Sequence, residues 1–177
     1  MLKKTILLSG AHGVGKGYFL KKKFENDNRF VILGASNLIS KYKKADDAGY
    51  KKVQNISDNQ QILLTALLAE KSKIGKDIIL DGHICMINAE GNVESIPENF
   101  LIEAEISGII LLQDDIENII QRQKERDGIV LDKEVVRKIQ EEEVKYCEYL
   151  LIKHNIPYNI IDSTYGYLQF CEIVDRM

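Results

Sequence analysis

Eight residues near the start of the chain have the spacing of a phosphate-binding loop. Gly10-Ala-His-Gly-Val-Gly-Lys-Gly17 fits the pattern G-x-x-x-x-G-K, and it lies between an apolar run and a helical pattern, as the motif requires. Glycines let successive N–H groups face one anion, and the N-terminus of the following helix adds partial positive charge. Lys16 supplies a full charge for the outer phosphates. A ligand-free glycine-rich turn is the alternative, and the lysine with its flanking elements favours phosphate binding.

The loop therefore predicts a site for a nucleoside triphosphate, ATP, and for Mg²⁺. Gly17 stands where many phosphate loops carry a serine or threonine that holds the metal directly. We expect Mg²⁺ to be held by phosphates and water, with Asp81 contributing through water, because Asp81 ends an apolar run at the expected carboxyl edge of the sheet. A turn or cap role for Asp81 is the alternative. The expected nucleotide-binding residues are Gly10, His12, Gly13, Val14, Gly15, Lys16, Gly17 and Tyr18.

Short apolar runs alternate with longer amphipathic stretches, which is the pattern of repeated βα units. Their continuous apolar character favours parallel strands covered on both faces. This predicts an α/β fold with three layers around a five-stranded parallel sheet. Because no linker or repeat interrupts the chain, residues 1–177 are expected to form a single domain. The predicted strands are Thr5–Ser9, Phe30–Leu33, Asp77–Leu80, Gly108–Leu112 and Tyr158–Ile161.

Three local patterns predict how the helices begin and what they expose. Ser57 and Gln60 have the spacing of a capping box, in which each side chain satisfies a backbone donor near the other. Asp132 is expected to cap the long helix that follows it. The acidic run Glu141-Glu-Glu143 is expected to lie on a solvated helix face.

With these pieces placed, the chain resembles the adenylate kinases and related nucleoside monophosphate kinases, and the archaeal-type adenylate kinases over the longest stretch. The similarity lies in Gly17 after the lysine, in the Asp81-Gly-His83 segment that leads to Ile96-Pro97, and in the later order of strand, acidic turn and Arg126-Asp127. It implies a P-loop NTP hydrolase fold of the nucleoside-monophosphate-kinase type with a small lid. ATP would be the phosphoryl donor, residues 34–70 the acceptor-binding segment and residues 122–137 the lid region.

By this resemblance, Arg122 and Arg126 border the lid and clamp phosphates or stack on the base, joining Lys16 and Asp81 as catalytic residues. A planar guanidinium suits the charge that spreads over the phosphoryl oxygens during transfer. The two arginines also have i,i+4 helical spacing, so an ordinary exposed helix face is the alternative.

The chain departs from this family at two places. Tyr18 stands where the family has threonine, and residues 34–60 contain no arginine to hold a monophosphate. The acceptor is therefore expected to be a small phosphate- or hydroxyl-bearing compound, most simply a nucleoside monophosphate. A nucleotide-dependent switch or accessory ATPase, and a kinase of a non-nucleotide acceptor or a nucleic-acid end, stay open. The lysines available in this segment are Lys41, Lys43, Lys44, Lys51 and Lys52.

Composition limits the remaining classes of function. The 177 residues carry 24 basic and 27 acidic side chains for a net charge of −3, which argues against a general nucleic-acid binder. No apolar run approaches the roughly 20 residues that span a bilayer. Three scattered cysteines, with no C-x-x-C pair, favour reduced thiols. We therefore expect a cytoplasmic protein without a membrane partner, and its oligomeric state is not predicted.

Overall fold

The computed structural model describes residues 4–25, 27–45, 56–128 and 131–176. Five parallel strands form its central sheet in the order β2-β3-β1-β6-β7, and two short antiparallel strands, β4 and β5, form a separate hairpin. The predicted five-stranded parallel sheet is confirmed, although four of its strands extend one or two residues beyond the predicted ends. The strands are β1 Thr5–Ser9, β2 Phe30–Gly34, β3 Asp77–Asp81, β4 Cys85–Ile87, β5 Val93–Ser95, β6 Ile106–Gln113 and β7 Tyr158–Asp162.

Helices cover both faces of the sheet. Alternate side chains of β1 show why: Leu7 belongs to one buried apolar cluster, and its neighbours Ile6 and Leu8 belong to the other. Period-two alternation sends successive residues to opposite faces, so both faces of this strand need a helical cover. The three-layer arrangement is thus confirmed. The helices are α1 Lys16–Phe24, α2 Ala35–Ala45, α3 Ile56–Lys71, α4 Glu98–Glu103, α5 Ile116–Asp127, α6 Lys133–His154 and α7 Tyr167–Arg176.

The hairpin of β4 and β5 was not among the predicted elements. Its strands have only three residues each, too few for a period-two pattern to be recognised. The turn between them is closed by Asn88, whose side-chain oxygen accepts hydrogen bonds from the amides of Glu90 and Asn92. Gly91 has a φ of 82°, which glycine adopts without steric cost. The hairpin follows β3 directly, so it lies beside the carboxyl edge of the sheet.

One of the two predicted caps is wrong and the other is confirmed. Helix α3 begins at Ile56, so Ser57 lies inside its first turn and not at the N-cap. Gln60 is buried, and its Oε1 has no hydrogen-bond partner among the described residues, so the half of the capping box that Gln60 would supply is not formed. The side chain of Ser57 lies outside the described part of the chain. Asp132 does cap α6, because its carboxylate accepts a hydrogen bond from the amide of Glu134 at 2.8 Å. Among the described helices, none has the length and apolar character that crossing a membrane requires.

Candidate functional site

The phosphate loop connects β1 to α1 and depends on three glycines with left-handed backbone conformations. Gly10, Gly13 and Gly15 have φ values of 144°, 87° and 112°. A Cβ atom at Gly10 would lie 2.5 Å from the carbonyl oxygen of Leu112, so the loop approaches β6 more closely than any side chain allows. The sequence motif therefore corresponds to a backbone that only glycine can adopt at low cost.

Lys16, the first residue of α1, points its amine back into the loop. Its Nζ donates a hydrogen bond to the carbonyl oxygen of Gly10 at 3.0 Å and lies 4.0 Å from Asp81 Oδ1. Burial lowers the pKa of Lys16, and the carboxyl groups of Asp81 and Glu143 oppose that effect. A buried ammonium in this place has few solvent contacts, which makes it receptive to the charge of a phosphate.

Asp81 and His83 follow from the pairing of β3 with β1. Leu8 pairs with Asp81, and Gly82 donates to the Leu8 carbonyl at 3.1 Å, so the end of β3 lies directly beside the loop. Burial raises the pKa of Asp81. The ring of His83 approaches Lys16 Nζ at 3.5 Å, and burial together with that cation lowers the pKa of His83 to about 3. His83 is therefore neutral at physiological pH, and it adds no charge to the site.

The metal expected beside Asp81 has limited protein ligation available. Among the described residues there is no group of three or more His, Cys, Asp or Glu side chains that could hold a metal ion. Asp81 supplies one carboxylate at the edge of the loop, which fits a Mg²⁺ ion coordinated mainly by phosphates and water. Outside its own helix and chain neighbours, no atom of the described residues lies within 4 Å of a Cβ added at Gly17, so no described side chain takes the place of the missing hydroxyl.

The two arginines of α5 face the phosphate loop. Arg122 donates to the main-chain carbonyl of Val14 at 3.0 Å and forms an ion pair with Asp114 at 2.7 Å. Arg126 contacts the ring of His12, with its Nη2 2.7 Å from Nε2. Both arginines line the same cleft as the loop.

Asp114 organises the segment around Arg122. Its carboxylate accepts hydrogen bonds from the hydroxyl groups of Ser163 and Thr164 and from the side-chain amide of Asn118. Burial alone would raise the pKa of Asp114, but the hydrogen bonds from Ser163, Asn118 and Arg122 lower it to about 2. The carboxylate is thus charged throughout the physiological range and holds Arg122 beside Val14. The sequence places Asp114 in the acidic turn between a predicted strand and a helix, and it gives no signal of this role.

Gln123 is a site residue that the sequence did not reveal. Its Nε2 donates to the main-chain carbonyl of His12 at 2.7 Å, and its Oε1 accepts from the amide of Leu131 at 3.0 Å. The side chain is fully buried, and a Cβ at Gly13 would approach its Cγ at 2.8 Å. Its position between Arg122 and Lys124 on a polar helix gives no local signal of this role.

Glu143 is a second buried polar residue near the loop that the sequence did not reveal. The prediction that it lies on a solvated helix face is wrong. Its side chain is fully buried on the inner face of α6. Ser9 donates to Glu143 Oε1 at 3.1 Å while its own oxygen accepts from the amide of Ile84. Burial raises the pKa of Glu143 to about 8, against the opposing effects of Ser9 and Lys16. A carboxylic acid is thus held beneath the phosphate loop.

Lys16, Asp81, His83, Arg122 and Arg126 line one cleft with a volume of about 700 Å³, whereas Asp114, Gln123 and Glu143 support it from outside the lining. The loop forms its floor, Asp81 and His83 form one side, and Arg122 and Arg126 form the other. The side chain of Tyr18 lies at the rim, 60% exposed, and accepts a hydrogen bond from Lys22. A cleft of this size is large enough for a nucleotide.

The lysines expected to hold the acceptor phosphate lie only partly within the described residues. Lys41 is paired with Glu70 at 2.8 Å, and Lys43 donates to Asn59 Oδ1 at 2.8 Å. Neither lysine lines the 700 Å³ cleft. The side chain of Lys44, and Lys51 and Lys52 entirely, lie outside the described part of the chain.

Comparison with known proteins agrees with this architecture. A family model described as an AAA domain matches residues 9–144. The chain is similar in structure to a tunicamycin resistance protein of Deinococcus radiodurans, with 15% identity, a TM-score of 0.64 and coverage of 99% of this chain and 95% of that one. No curated protein sequence matches the chain.

Two further structures share the fold. A gluconokinase of Sinorhizobium meliloti has 11% identity and a TM-score of 0.50, with 98% of this chain and 96% of that chain covered. A sugar kinase of Janibacter sp. has 11% identity and a TM-score of 0.57, with 98% and 92% covered. At these identities the likeness defines a P-loop kinase-like fold. It does not single out the adenylate kinases that the sequence resembles.

Proposed function

Because the chain belongs to the AAA domain family of proteins, we propose that it is an ATP-dependent phosphotransferase that acts on a small acceptor. One observation carries the proposal: Lys16, Asp81, Arg122 and Arg126 all line one cleft with the phosphate loop. These side chains come from three separate elements, and phosphoryl transfer needs such a set of charges around one phosphate.

Each group has a defined part in the proposed reaction. The loop amides and Lys16 bind the β- and γ-phosphates of ATP, and Arg122 and Arg126 neutralise charge on the transferred phosphoryl group. Mg²⁺, held by phosphate oxygens and by Asp81 through water, would neutralise further charge. Residues 122–137 would act as a lid that excludes water.

When the acceptor is an alcohol, its oxygen attacks the γ-phosphorus, and the bond from that phosphorus to the bridging oxygen breaks. ADP leaves with the electron pair, and the hydroxyl proton passes to the carboxylate of Asp81. Burial raises the pKa of Asp81, which makes it a better base than an exposed aspartate.

Two acceptor classes follow from the site and its relatives. The resemblance to adenylate kinases points to a nucleoside monophosphate, and the names of two structural relatives, a gluconokinase and a sugar kinase, point to a hydroxyl compound. Residues 34–70 would form the acceptor-binding segment in either case. We propose a cytoplasmic location, where ATP and such small acceptors are available.

Acceptor-dependent formation of ADP tests the proposal. The purified protein is mixed with ATP and Mg²⁺, and ADP is measured with and without each monophosphate, sugar and sugar acid of a panel. We expect at least one acceptor to stimulate ADP formation, and Lys16→Ala to abolish the stimulation. Hydrolysis that proceeds at one rate with every acceptor would instead support a nucleotide-dependent switch or accessory ATPase.

A further inference from the structure

The side chain of Tyr18 lies at one end of the 700 Å³ cleft. Ala35 and Ser36, which follow β2, and Asp81, which ends β3, line the cleft on one side of β1. Tyr18 also lines the cleft, and its ring lies 6.5 Å from the ring of Tyr167. Tyr167 begins α7, directly after β7, and β7 lies on the other side of β1. The cleft therefore has an Asp81 end and a Tyr18 end.

The ring of Tyr18 is held in place by two neighbours. Its hydroxyl oxygen accepts a hydrogen bond from Lys22 Nζ at 3.1 Å, across one turn of α1. The same ammonium lies 3.9 Å from the centre of the Tyr167 ring, which is a cation–π distance. The side chain of Tyr18 nevertheless stays 60% exposed. A fixed and exposed aromatic ring beside a phosphate site offers a surface on which a flat group can pack.

The direction in which ATP lies in the cleft follows from the proposed function. Transfer takes place at the Asp81 end, so the γ-phosphate faces Asp81. Lys16, which is assigned to the outer phosphates, marks the same end, because its Nζ lies 4.0 Å from Asp81 Oδ1. The rest of the nucleotide must extend away from Asp81. Its ribose and base would then lie at the Tyr18 end.

We propose that Tyr18 is a specificity residue for the nucleotide, and that its ring packs against the ribose and base of ATP while the loop binds the phosphates. The side chain would thus select a nucleoside triphosphate over an inorganic polyphosphate. The inference rests on the proposed function for the direction of ATP. It also gives a physical reason for tyrosine where the resembled family has threonine, since a threonine side chain offers no flat surface.

ATP and inorganic tripolyphosphate form a matched pair of probes, because both carry three linked phosphates and only ATP carries a nucleoside. Calorimetric titration with each ligand, in the presence of Mg²⁺, measures the two affinities. We expect Tyr18→Ala to weaken ATP binding about tenfold or more, the effect of losing one base-stacking ring. Tripolyphosphate affinity should be unchanged. Equal losses for the two ligands would overturn the inference, because Tyr18 would then serve the phosphate loop.

Tyr18→Phe separates the ring from the hydroxyl group. It keeps the aromatic surface, so we expect it to bind ATP more tightly than Tyr18→Ala does. ATP affinity as low in Tyr18→Phe as in Tyr18→Ala would contradict the role of the ring. Tyr149→Ala is the control, because Tyr149 is an exposed helical tyrosine that accepts from a lysine four residues later and does not line the cleft. It should bind both ligands as the unaltered protein does.

Lys22→Met tests whether the ring must be held in place. It removes the ammonium that connects Tyr18 to Tyr167, and Lys21→Met is the matched control, because Lys21 is its exposed neighbour on α1. Each variant loses one positive charge on the same helix. We expect ATP affinity to be lower in Lys22→Met than in Lys21→Met, with equal tripolyphosphate affinities. Equal ATP affinities would contradict the need for a fixed ring.

Turnover distinguishes this inference from the proposed function. Selective loss of ATP binding in Tyr18→Ala, without acceptor-dependent ADP formation by the unaltered protein, supports the nucleoside contact and contradicts the phosphotransferase proposal. Acceptor-dependent turnover with the same KM for ATP in the unaltered protein and in Tyr18→Ala contradicts the inference and supports the phosphotransferase proposal.

Discussion

The side-chain amide of Gln123 donates a hydrogen bond to the main-chain carbonyl of His12 at 2.7 Å. The same side chain accepts from the amide of Leu131, just before α6. The phosphate loop is thereby connected through α5 to Leu131, within the proposed lid region. One buried side chain therefore holds both the His12 carbonyl and the Leu131 amide.

Gln123→Leu is expected to destabilise the protein by roughly 1–3 kcal/mol, because it leaves two backbone groups without their partner. It should also weaken ATP binding, since the His12 carbonyl loses the hydrogen bond that helps to fix the loop. Urea unfolding and calorimetric titration with ATP measure the two effects. Gln121→Leu is the matched control, because Gln121 is exposed on the same helix. Equal stability and ATP affinity in the two variants would contradict the role of Gln123.

Gly13→Ala is expected to distort the phosphate loop. The new Cβ would lie 2.8 Å from Gln123 Cγ and 3.1 Å from the Ile119 carbonyl oxygen, at a φ of 87°. We expect ATP affinity to fall at least about tenfold, equivalent to about 1.4 kcal/mol. Gly91→Ala imposes a similar φ of 82° with no atom within 4 Å, so it isolates backbone strain from steric clash. Its ATP affinity should be unchanged, and an equal loss in both variants would contradict the clash argument.

Glu143→Gln is expected to change how stability depends on pH. The pKa of Glu143 rises from its ordinary 4.5 to about 8 in the folded protein, so within this window the folded state holds a proton that the unfolded state has released. Stability therefore falls as pH rises from 4.5 to about 8. A glutamine does not titrate, so the variant should match the unaltered protein at the acid end. It should be more stable at the alkaline end, by on the order of 5 kcal/mol, because each unit of pKa difference corresponds to about 1.4 kcal/mol.

Urea unfolding across that pH window measures the difference. Glu141→Gln is the control, because Glu141 is exposed on the same helix, and its effect should stay constant with pH. A difference between Glu143→Gln and the unaltered protein that does not grow with pH would contradict the buried, protonated state of Glu143.

Arg126→Ala is expected to lower kcat far more than it weakens ATP binding. Arg126 lines the cleft, and its guanidinium is assigned to charge that develops during transfer, which is an effect on the transition state. We expect a loss of about a hundredfold or more in kcat. Arg137→Ala is the control, because Arg137 lies on α6, is exposed and pairs with Glu134. Comparable losses in both variants would show a general effect of removing positive charge.

The sequence predicted the features of the fold and the site that are determined by residues adjacent in the chain. The loop from Gly10 to Gly17 is contiguous, and each parallel strand is a short apolar run, so both could be predicted without tertiary information. Asp81 could be placed at the sheet edge because it ends such a run. The predicted strand ends differ from the observed ones because polar residues such as Asp162 take part in pairing.

The sequence did not predict the burial of three polar residues, because that burial depends on tertiary packing. Gln60, Gln123 and Glu143 are polar side chains in amphipathic or polar helices, and the sequence pattern assigns such residues to caps or to solvent. Gln123 and Glu143 are buried against residues far away in the sequence, with hydrogen bonds to His12 and from Ser9. The periodicity of one helix does not show which distant residues pack against it. Sequence patterns also assign polar residues to the surface, and functional sites are where that assignment is expected to fail.

Phosphorus NMR of the complete reaction tests the central claim most directly. The protein is incubated with ATP, Mg²⁺ and each member of a panel of nucleoside monophosphates, sugars and sugar acids, and the fate of the γ-phosphorus is followed. The account predicts ADP together with a new signal from a phosphorylated acceptor, and no such signal with Lys16→Ala. ADP accompanied only by inorganic phosphate, with every acceptor, would contradict it.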